Sequence, residues 1–395
     1  MNEDSSYYSY LGTDYDNNST VDPHSIFNWY ELAPTLTVYG ITFVLGLTGN
    51  SLIIATTFKY RRMKNVTNVL LSSLAMSDLL LIVFCIPVKI SMMVAKLFSY
   101  TWRMGGIVCK GVHYMQNLSA ICSVLTLTAI SLERYYAIVY PMKAKYTCTL
   151  SQAKKIVILI WILSVVLSLP TLEGQIHLPV GPTKEYRYCV KNWDNGNVWK
   201  FHELYLLFVV LVGPFCIITF SYVTICRKIC KVMGKTLTLT NEQSLSRNYR
   251  SLPVDDKSAT FNTCGEWSST RKSTNQHHDT HVVQQVIFML VIVVALFAIC
   301  WTPLLVDNVL TAFGLLPHMR FGTLKYMSSA FHLLAYFNSC LNPVVYGFMS
   351  KSFRDNFLLQ ICFKSQSRES TFEKSLSLKR LSRMESQTRS TTIKS

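Results

Sequence analysis

The sequence predicts an all-α membrane protein: a seven-transmembrane helix bundle followed by a short amphipathic eighth helix. Three observations carry that reading. Only 15% of the 395 residues are charged and 50% are hydrophobic, whereas soluble domains carry about 25% charge. Near-continuous apolar runs recur at about 36–58, 68–91, 107–139, 154–173, 203–227, 281–307 and 325–348, each long enough for the ~20 residues that cross a bilayer as helix. The net charge of +16 is spread between and after these runs. It does not form one patch, so it does not point to nucleic acid.

The placement of charge also orients the chain. No Lys or Arg precedes Lys59, and the first segment carries Glu3, Asp4, Asp14, Asp16, Asp22 and Glu31. Lys59, Arg61, Arg62 and Lys64 follow the first run, Lys143, Lys145, Lys154 and Lys155 fill the second inner loop, and Arg227, Lys228 and Lys231 end the fifth run. The positive-inside rule places the N-terminus outside and the C-terminus inside. No apolar core precedes residue 35, so the first span is expected to act as the insertion signal.

Residues 1–35 read as a mobile extracellular segment. Asn17 and Asn18 begin two overlapping N-x-S/T acceptors for glycosylation, whereas Asn65-Val66-Thr67 falls on the inner side and is expected to be inert. Tyr7, Tyr8, Tyr10 and Tyr15 lie among acids, a context for tyrosine sulfation. Residues 36–350 form the membrane domain. Its first span carries Gly49-Asn50, and its second carries Leu74, Asp78 and Pro87. Asp78 is ionisable inside an apolar run, which by default marks a functional position, and Pro87 is expected to kink the outer half of its helix.

The third run, Cys109 to Pro141, starts at a cysteine, holds Gln116, Asn117 and Ser123 at membrane depth, and ends in Glu133-Arg134-Tyr135. Polar groups at that depth are expected to face protein or water. Cys109 and Cys189 both lie at the outer boundary, an oxidising side, and are expected to pair. Alternating residues around Gly181-Pro182 suggest a β-hairpin in the second outer loop. The fourth span carries Trp161, and the fifth carries Pro214 and Tyr222. Residues 232–280 are Ser/Thr- and Lys/Arg-rich and read as a mobile inner loop. Phe297 and Cys300-Trp301-Thr302-Pro303 mark the sixth span, and Asn338 and Asn342-Pro343-Val344-Val345-Tyr346 the seventh. Residues 351–363 place Phe353, Phe357, Leu358 and Ile361 on one face, as a surface helix would, with Cys362 as a palmitoylation candidate. Residues 364–395 read as a disordered, phosphorylatable tail.

Taken together, these residues resemble the rhodopsin-like (class A) G-protein-coupled receptors, with one matching motif per span in the right order over about 36–363. The resemblance implies a plasma-membrane, multi-pass receptor, not an enzyme. Its partners would be an extracellular ligand, a heterotrimeric G protein, arrestin, receptor kinases and membrane lipid. Arg134 would engage the G protein, and Glu133 would restrain it beside Tyr135. Tyr222, Tyr346, Phe297, Trp301, Pro303, Asn342 and Pro343 would rearrange on activation. Asp78, Ser123, Asn338 and Asn342 would form an inner sodium site, one carboxylate with neutral oxygens suiting a hard cation. The acid that the family often carries at the inner end of the sixth span is missing from His281-Val282-Val283-Gln284, which predicts a one-sided resting lock.

From Tyr326 to Phe348 the seventh span has no Lys for retinal, and the third has Gln116 where amine receptors carry Asp. Gln116, Asn308 and His332, with Asn117 and Tyr336, resemble the pocket of orexin- and RFamide-type (and cholecystokinin-like) neuropeptide receptors. There a carboxamide would find both donor and acceptor. Glu203, Asp194 and Glu185 are expected to attract a basic peptide, among outer cations Arg103, Arg187, Lys191, Arg320 and Lys325. The alternative is an orphan class A receptor or, as the Tyr/Asp-rich N-terminus suggests, a chemokine- or chemoattractant-like one. The cysteines for its usual second outer disulfide are absent from residues 1–84 and 308–325. A transporter would show repeats or broken helices in matching halves, and neither is present.

Overall fold

A computed structural model describes residues 29–59, 65–98, 104–180, 186–191, 196–249, 266–317, 320 and 322–349. The expected glycosylation sites Asn17 and Asn18, the helix 351–363, Cys362 and the tail lie outside the described residues.

The first span is α1 (Trp29–Lys59). The second begins as α2 (Val66–Leu80), passes through a π turn at Leu81–Cys85 and continues as α3 (Ile86–Phe98). The third span is α4 (Gly105–Val139), and α5 (Pro141–Thr147) lies in the loop after it. The fourth, α6 (Leu150–Ser168), tightens into a 3-10 turn at Leu169–Leu172. The fifth begins as α7 (Gly196–Leu207), takes a π turn at Phe208–Val212 and continues as α8 (Gly213–Tyr249). The sixth is α9 (Glu266–Ala312) and the seventh α10 (Gly322–Met349). Six spans are long and apolar enough to cross a membrane. The seventh is long enough, but it also carries His332, Asn338, Ser339 and Asn342.

The helices outrun their apolar stretches. Polar flanks that still favour helix, such as Asn241-Glu242-Gln243 after the fifth span, continue the backbone ladder. Of the expected inner loop 232–280, residues 232–249 and 266–280 are therefore helical, and 250–265 lie outside the described residues.

Both π turns sit just before a proline. Ile86 N–H reaches back five residues to Leu81 C=O ahead of Pro87, and Gly213 N–H does the same to Phe208 C=O ahead of Pro214. A proline removes one donor and clashes with the carbonyl four residues back, and a wider turn absorbs both effects. This is the form the expected Pro87 irregularity takes.

The spans close into a ring. The first lies between the second and seventh, the sixth beside the seventh and fifth, and the third at the centre against the second, fourth and fifth. Burial matches this: 72% of the third span's apolar window is enclosed and only 22% of the fourth's. Outward faces are apolar, as at Phe84, Ile158, Phe220, Phe288 and Ile299. That inverts the soluble pattern and suits contact with lipid chains. Gly49 lets the first span abut the seventh, because an added Cβ would stand 2.5 Å from Pro343 Cβ.

The expected hairpin is present. β1 (Gln175–Val180) and β2 (Tyr186–Lys191) pair antiparallel with His177 opposite Cys189. A disulfide between Cys109 and Cys189, with Cα atoms 5.6 Å apart, ties that hairpin to the top of the third span.

Candidate functional site

Two polar networks occupy the bundle interior. The deeper centres on Asp78, buried at 1% exposure. Asn342 Nδ2 donates to Asp78 Oδ2 at 2.8 Å, joining the second span to the seventh. Asp78 Oδ1 is enclosed without a hydrogen-bond partner. Ser123 and Asn338 are also buried, but Ser123 Oγ is shared with Ser77 Oγ at 2.8 Å rather than with Asp78. Ser119 donates to the Ser77 carbonyl at 2.8 Å. Asn50 Nδ2 donates to Ser339 C=O at 2.8 Å, fastening the first span to the seventh. Trp161 Nε1 donates to Ser73 Oγ at 3.1 Å. No cluster of three or more His, Cys, Asp or Glu that would suit a transition metal occurs among the described residues.

At the inner end, Arg134 grips Glu133 in a two-point contact, Nε to Oε2 at 2.6 Å and Nη2 to Oε1 at 3.0 Å. Such paired contacts fix a guanidinium's plane as well as its charge. Arg134 Nη2 also donates to Thr67 Oγ1, which in turn donates to Glu133 Oε2 at 3.4 Å. The start of the second span thus supplies the second restraint on Arg134. Asn65 caps that helix by accepting from Asn68 N–H at 2.8 Å. Tyr135 packs edge-on with Tyr136 and Tyr140. Cys148 lies within electrostatic reach of this pair; partial burial and then the Glu133 charge push its thiol above the ordinary range, which favours the thiol over the thiolate.

Between these levels and the outer end, Phe215, Phe297 and Trp301 stack in series at 6.4 and 6.0 Å. Trp301 is 3% exposed. Tyr222 and Tyr346 are buried in the same core.

Towards the end of the bundle expected outside lies another set of polar contacts. The Tyr336 hydroxyl donates to Gln116 Oε1 at 3.0 Å, joining the seventh span to the third. Tyr39 meets the Tyr336 ring edge-on at 5.5 Å. Two further ion pairs join the hairpin and Arg320 to helices. Lys191 at the end of the hairpin holds Glu203 at 2.7 Å, with Trp199 Nε1 donating to the same oxygen at 3.2 Å. Arg320 holds both oxygens of Asp307 at 2.7 Å and also donates to Thr311.

Residues 49–346 match the model of the 7 transmembrane receptor (rhodopsin family). The chain belongs to this rhodopsin family of seven-transmembrane receptors. It is 29% identical over 348 residues to the cholecystokinin receptor of Xenopus laevis, covering 82% of this chain and 75% of that one. It is 30% identical over 346 residues to the QRFP-like peptide receptor of Branchiostoma floridae, covering 84% and 79%. It is 29% identical over 329 residues to the pyroglutamylated RF-amide peptide receptor of Rattus norvegicus, covering 82% and 68%.

In this receptor the structure regroups several residues singled out by sequence. Gln116 and Tyr336 meet directly, whereas Asn117 Nδ2 donates to Thr171 Oγ1 at 2.9 Å and so faces the fourth span. Asn308 is half-buried beside the paired Asp307. Glu203 is not a free acid at the mouth: it is 2% exposed and neutralised by Lys191. Glu185 and Asp194 lie outside the described residues. Thr67 was missed because Asn65-Val66-Thr67 reads as an inert glycosylation motif; an Asn just before an apolar run was the overlooked helix-start signal. Asp307, next to Asn308 near the outer end of the sixth span, carried the default signal of an intramembrane acid.

Proposed function

We propose that this receptor resides in the plasma membrane with its N-terminus outside, binds an extracellular, C-terminally amidated neuropeptide, and activates heterotrimeric G proteins. The buried Tyr336–Gln116 pair carries this reading. An amide side chain held by a phenol offers a terminal carboxamide both a donor and an acceptor. The peptide-receptor names of the relatives support the same ligand class.

Arg134 is the G-protein contact, held at rest by Glu133 and Thr67. Ligand meeting this pair repacks Trp301 and Phe297 in the sixth span, and the outward swing of that span frees Arg134. Asp78, with one buried oxygen unsatisfied and neutral Asn and Ser groups nearby, fits a sodium ion. Such an ion would stabilise the resting packing as an allosteric ligand. Arrestin and receptor kinases are proposed to act on the Ser-rich tail.

The test is calcium release and cyclic AMP in cells expressing the receptor, challenged with amidated peptides and their free acids. The expected result is a response to one amidated peptide, weakened more by Gln116→Ala than the response to its free acid. Arg134→Ala is expected to abolish nucleotide exchange with peptide binding intact. Equal losses for amide and acid would remove Gln116 from recognition, and unchanged exchange would remove Arg134 from coupling.

A further inference from the structure

The free thiols among the described residues fall into two main groups. Cys85, Cys122, Cys300 and Cys340 are buried in the bundle, as unpaired cysteines usually are. Cys216, Cys226 and Cys230 are exposed, and all three lie on α8. An exposed thiol adds little packing, so its chemistry is the property to account for.

Cys226 and Cys230 stand one turn apart on one strip of α8. Phe220 and Val223, 63% and 41% exposed, continue that strip towards the bilayer centre in steps of three residues. The opposite side of the helix packs into the bundle through Ile218, Tyr222 and Ile225. The strip therefore faces lipid. Phe220 lies 6.2 Å, ring to ring, from Tyr135, at the level where the third span's apolar run ends in charge. Cys226 is about 9 Å beyond Phe220 by helical rise. Arg227, Lys228 and Lys231 are exposed around the two thiols, and such cations mark the headgroup boundary of the inner leaflet. The pair thus sits where an apolar face meets cations, within reach of both acyl chains and water. The inner side is reducing, so a disulfide between the two is not their use.

We propose that Cys226 and Cys230 are sites of reversible S-acylation, taking long-chain acyl groups from acyl-coenzyme A. The cysteine thiolate attacks the thioester carbonyl. A new sulfur–acyl bond forms, the bond to the coenzyme A sulfur breaks, and that sulfur takes up the proton the cysteine gave. The attached chains run back into the lipid along Val223 and Phe220. They fasten the inner end of the fifth span to the membrane surface, just before α8 runs on to Tyr249. Cys216 is also exposed, but it lies about 15 Å deeper than Cys226 by helical rise. No water there takes its proton, so it stays a thiol. This inference rests on the inward placement of the fifth span's end proposed above and is independent of the ligand.

The test feeds an alkyne-bearing palmitic acid to cells that express the full-length receptor. The purified receptor is coupled to a fluorophore through the alkyne, and hydroxylamine identifies label held as a thioester. Cys362→Ser removes the other acylation candidate. The receptor with Cys362→Ser is expected to keep hydroxylamine-sensitive label. Adding Cys226→Ser and Cys230→Ser is expected to bring that label to background, whereas adding Cys216→Ser leaves it unchanged. Signal is read per receptor at the cell surface, and mass mapping of the unsubstituted receptor locates the acyl group without relying on any variant. No sensitive label in Cys362→Ser, label that survives the added pair of serines, or acyl mass confined to other cysteines would overturn the inference. Orientation is judged separately, by antibody access to the N-terminus on intact cells.

Discussion

The ion pairs at the outer end of this receptor and the polar bonds deeper in the bundle differ in reach. At the outer end the ion pairs are local: Lys191 and Glu203 are 12 residues apart, Asp307 and Arg320 13. Each pins a loop to the adjoining helix end and says little about how helices sit against one another. Deeper in, the bonds are long-range: Asn342 to Asp78 spans 264 residues, Asn50 to Ser339 289 and Arg134 to Thr67 67. These set the packing of one span on another. The ion pairs thus shape the mouth without locking the bundle, and the bundle is locked by bonds whose partners lie on different helices. Any rearrangement of one span against another would have to break such bonds.

Four substitutions, two of them combined, sharpen or break this contrast. Cys109→Ser removes the one covalent tie at the outer end, closing an 80-residue separation, and is expected to cost about 4 kcal/mol. Thermal unfolding and surface expression measure it, and an unchanged melting temperature would show that the hairpin is held by its ion pair alone. Glu203→Gln strands the Lys191 charge near Trp199 and is expected to cost about 2 kcal/mol, since Lys191 keeps partial access to water. Lys191→Met added to it should recover most of the loss, the signature of a coupled pair. Neither substitution should raise basal nucleotide exchange, and a rise would mean the outer pins do restrain the bundle. Thr67→Val is the smallest, about 1 kcal/mol, but it removes a cross-span bond to Arg134, so basal exchange is expected to rise about fivefold with little change in melting. Unchanged exchange would leave Glu133 as the whole restraint.

The sequence made the spans and the central motifs legible because bilayer thickness fixes run length and polar residues at depth stand out against apolar neighbours. The hairpin and the Cys109–Cys189 bond were legible for similar reasons. Helix ends were not: hydropathy stops where lipid stops, but backbone hydrogen bonding continues to Tyr249 and back to Glu266. The fate of Glu203 was hidden because its neutralising partner arrives on the returning strand of a hairpin. Asn117 was assigned by depth, yet depth does not say which neighbour a helix face meets, and it meets Thr171. The missing acid at His281–Gln284 was correctly noticed, whereas its substitute Thr67 could be found only once the second and third spans stood side by side.

The π turn at Leu81–Cys85 bears on how the family diverges. It inserts one residue into the helical phase between Asp78 and Lys89. A relative with the same number of residues but a regular α-helix in that stretch would keep its buried acid in place, yet everything beyond would rotate by about 100°. Neighbouring side chains would then take the directions that the residues after Cys85 have here. A relative with one residue fewer and no π turn would keep those directions, so position-by-position comparison of sequences would pair the wrong residues beyond the turn.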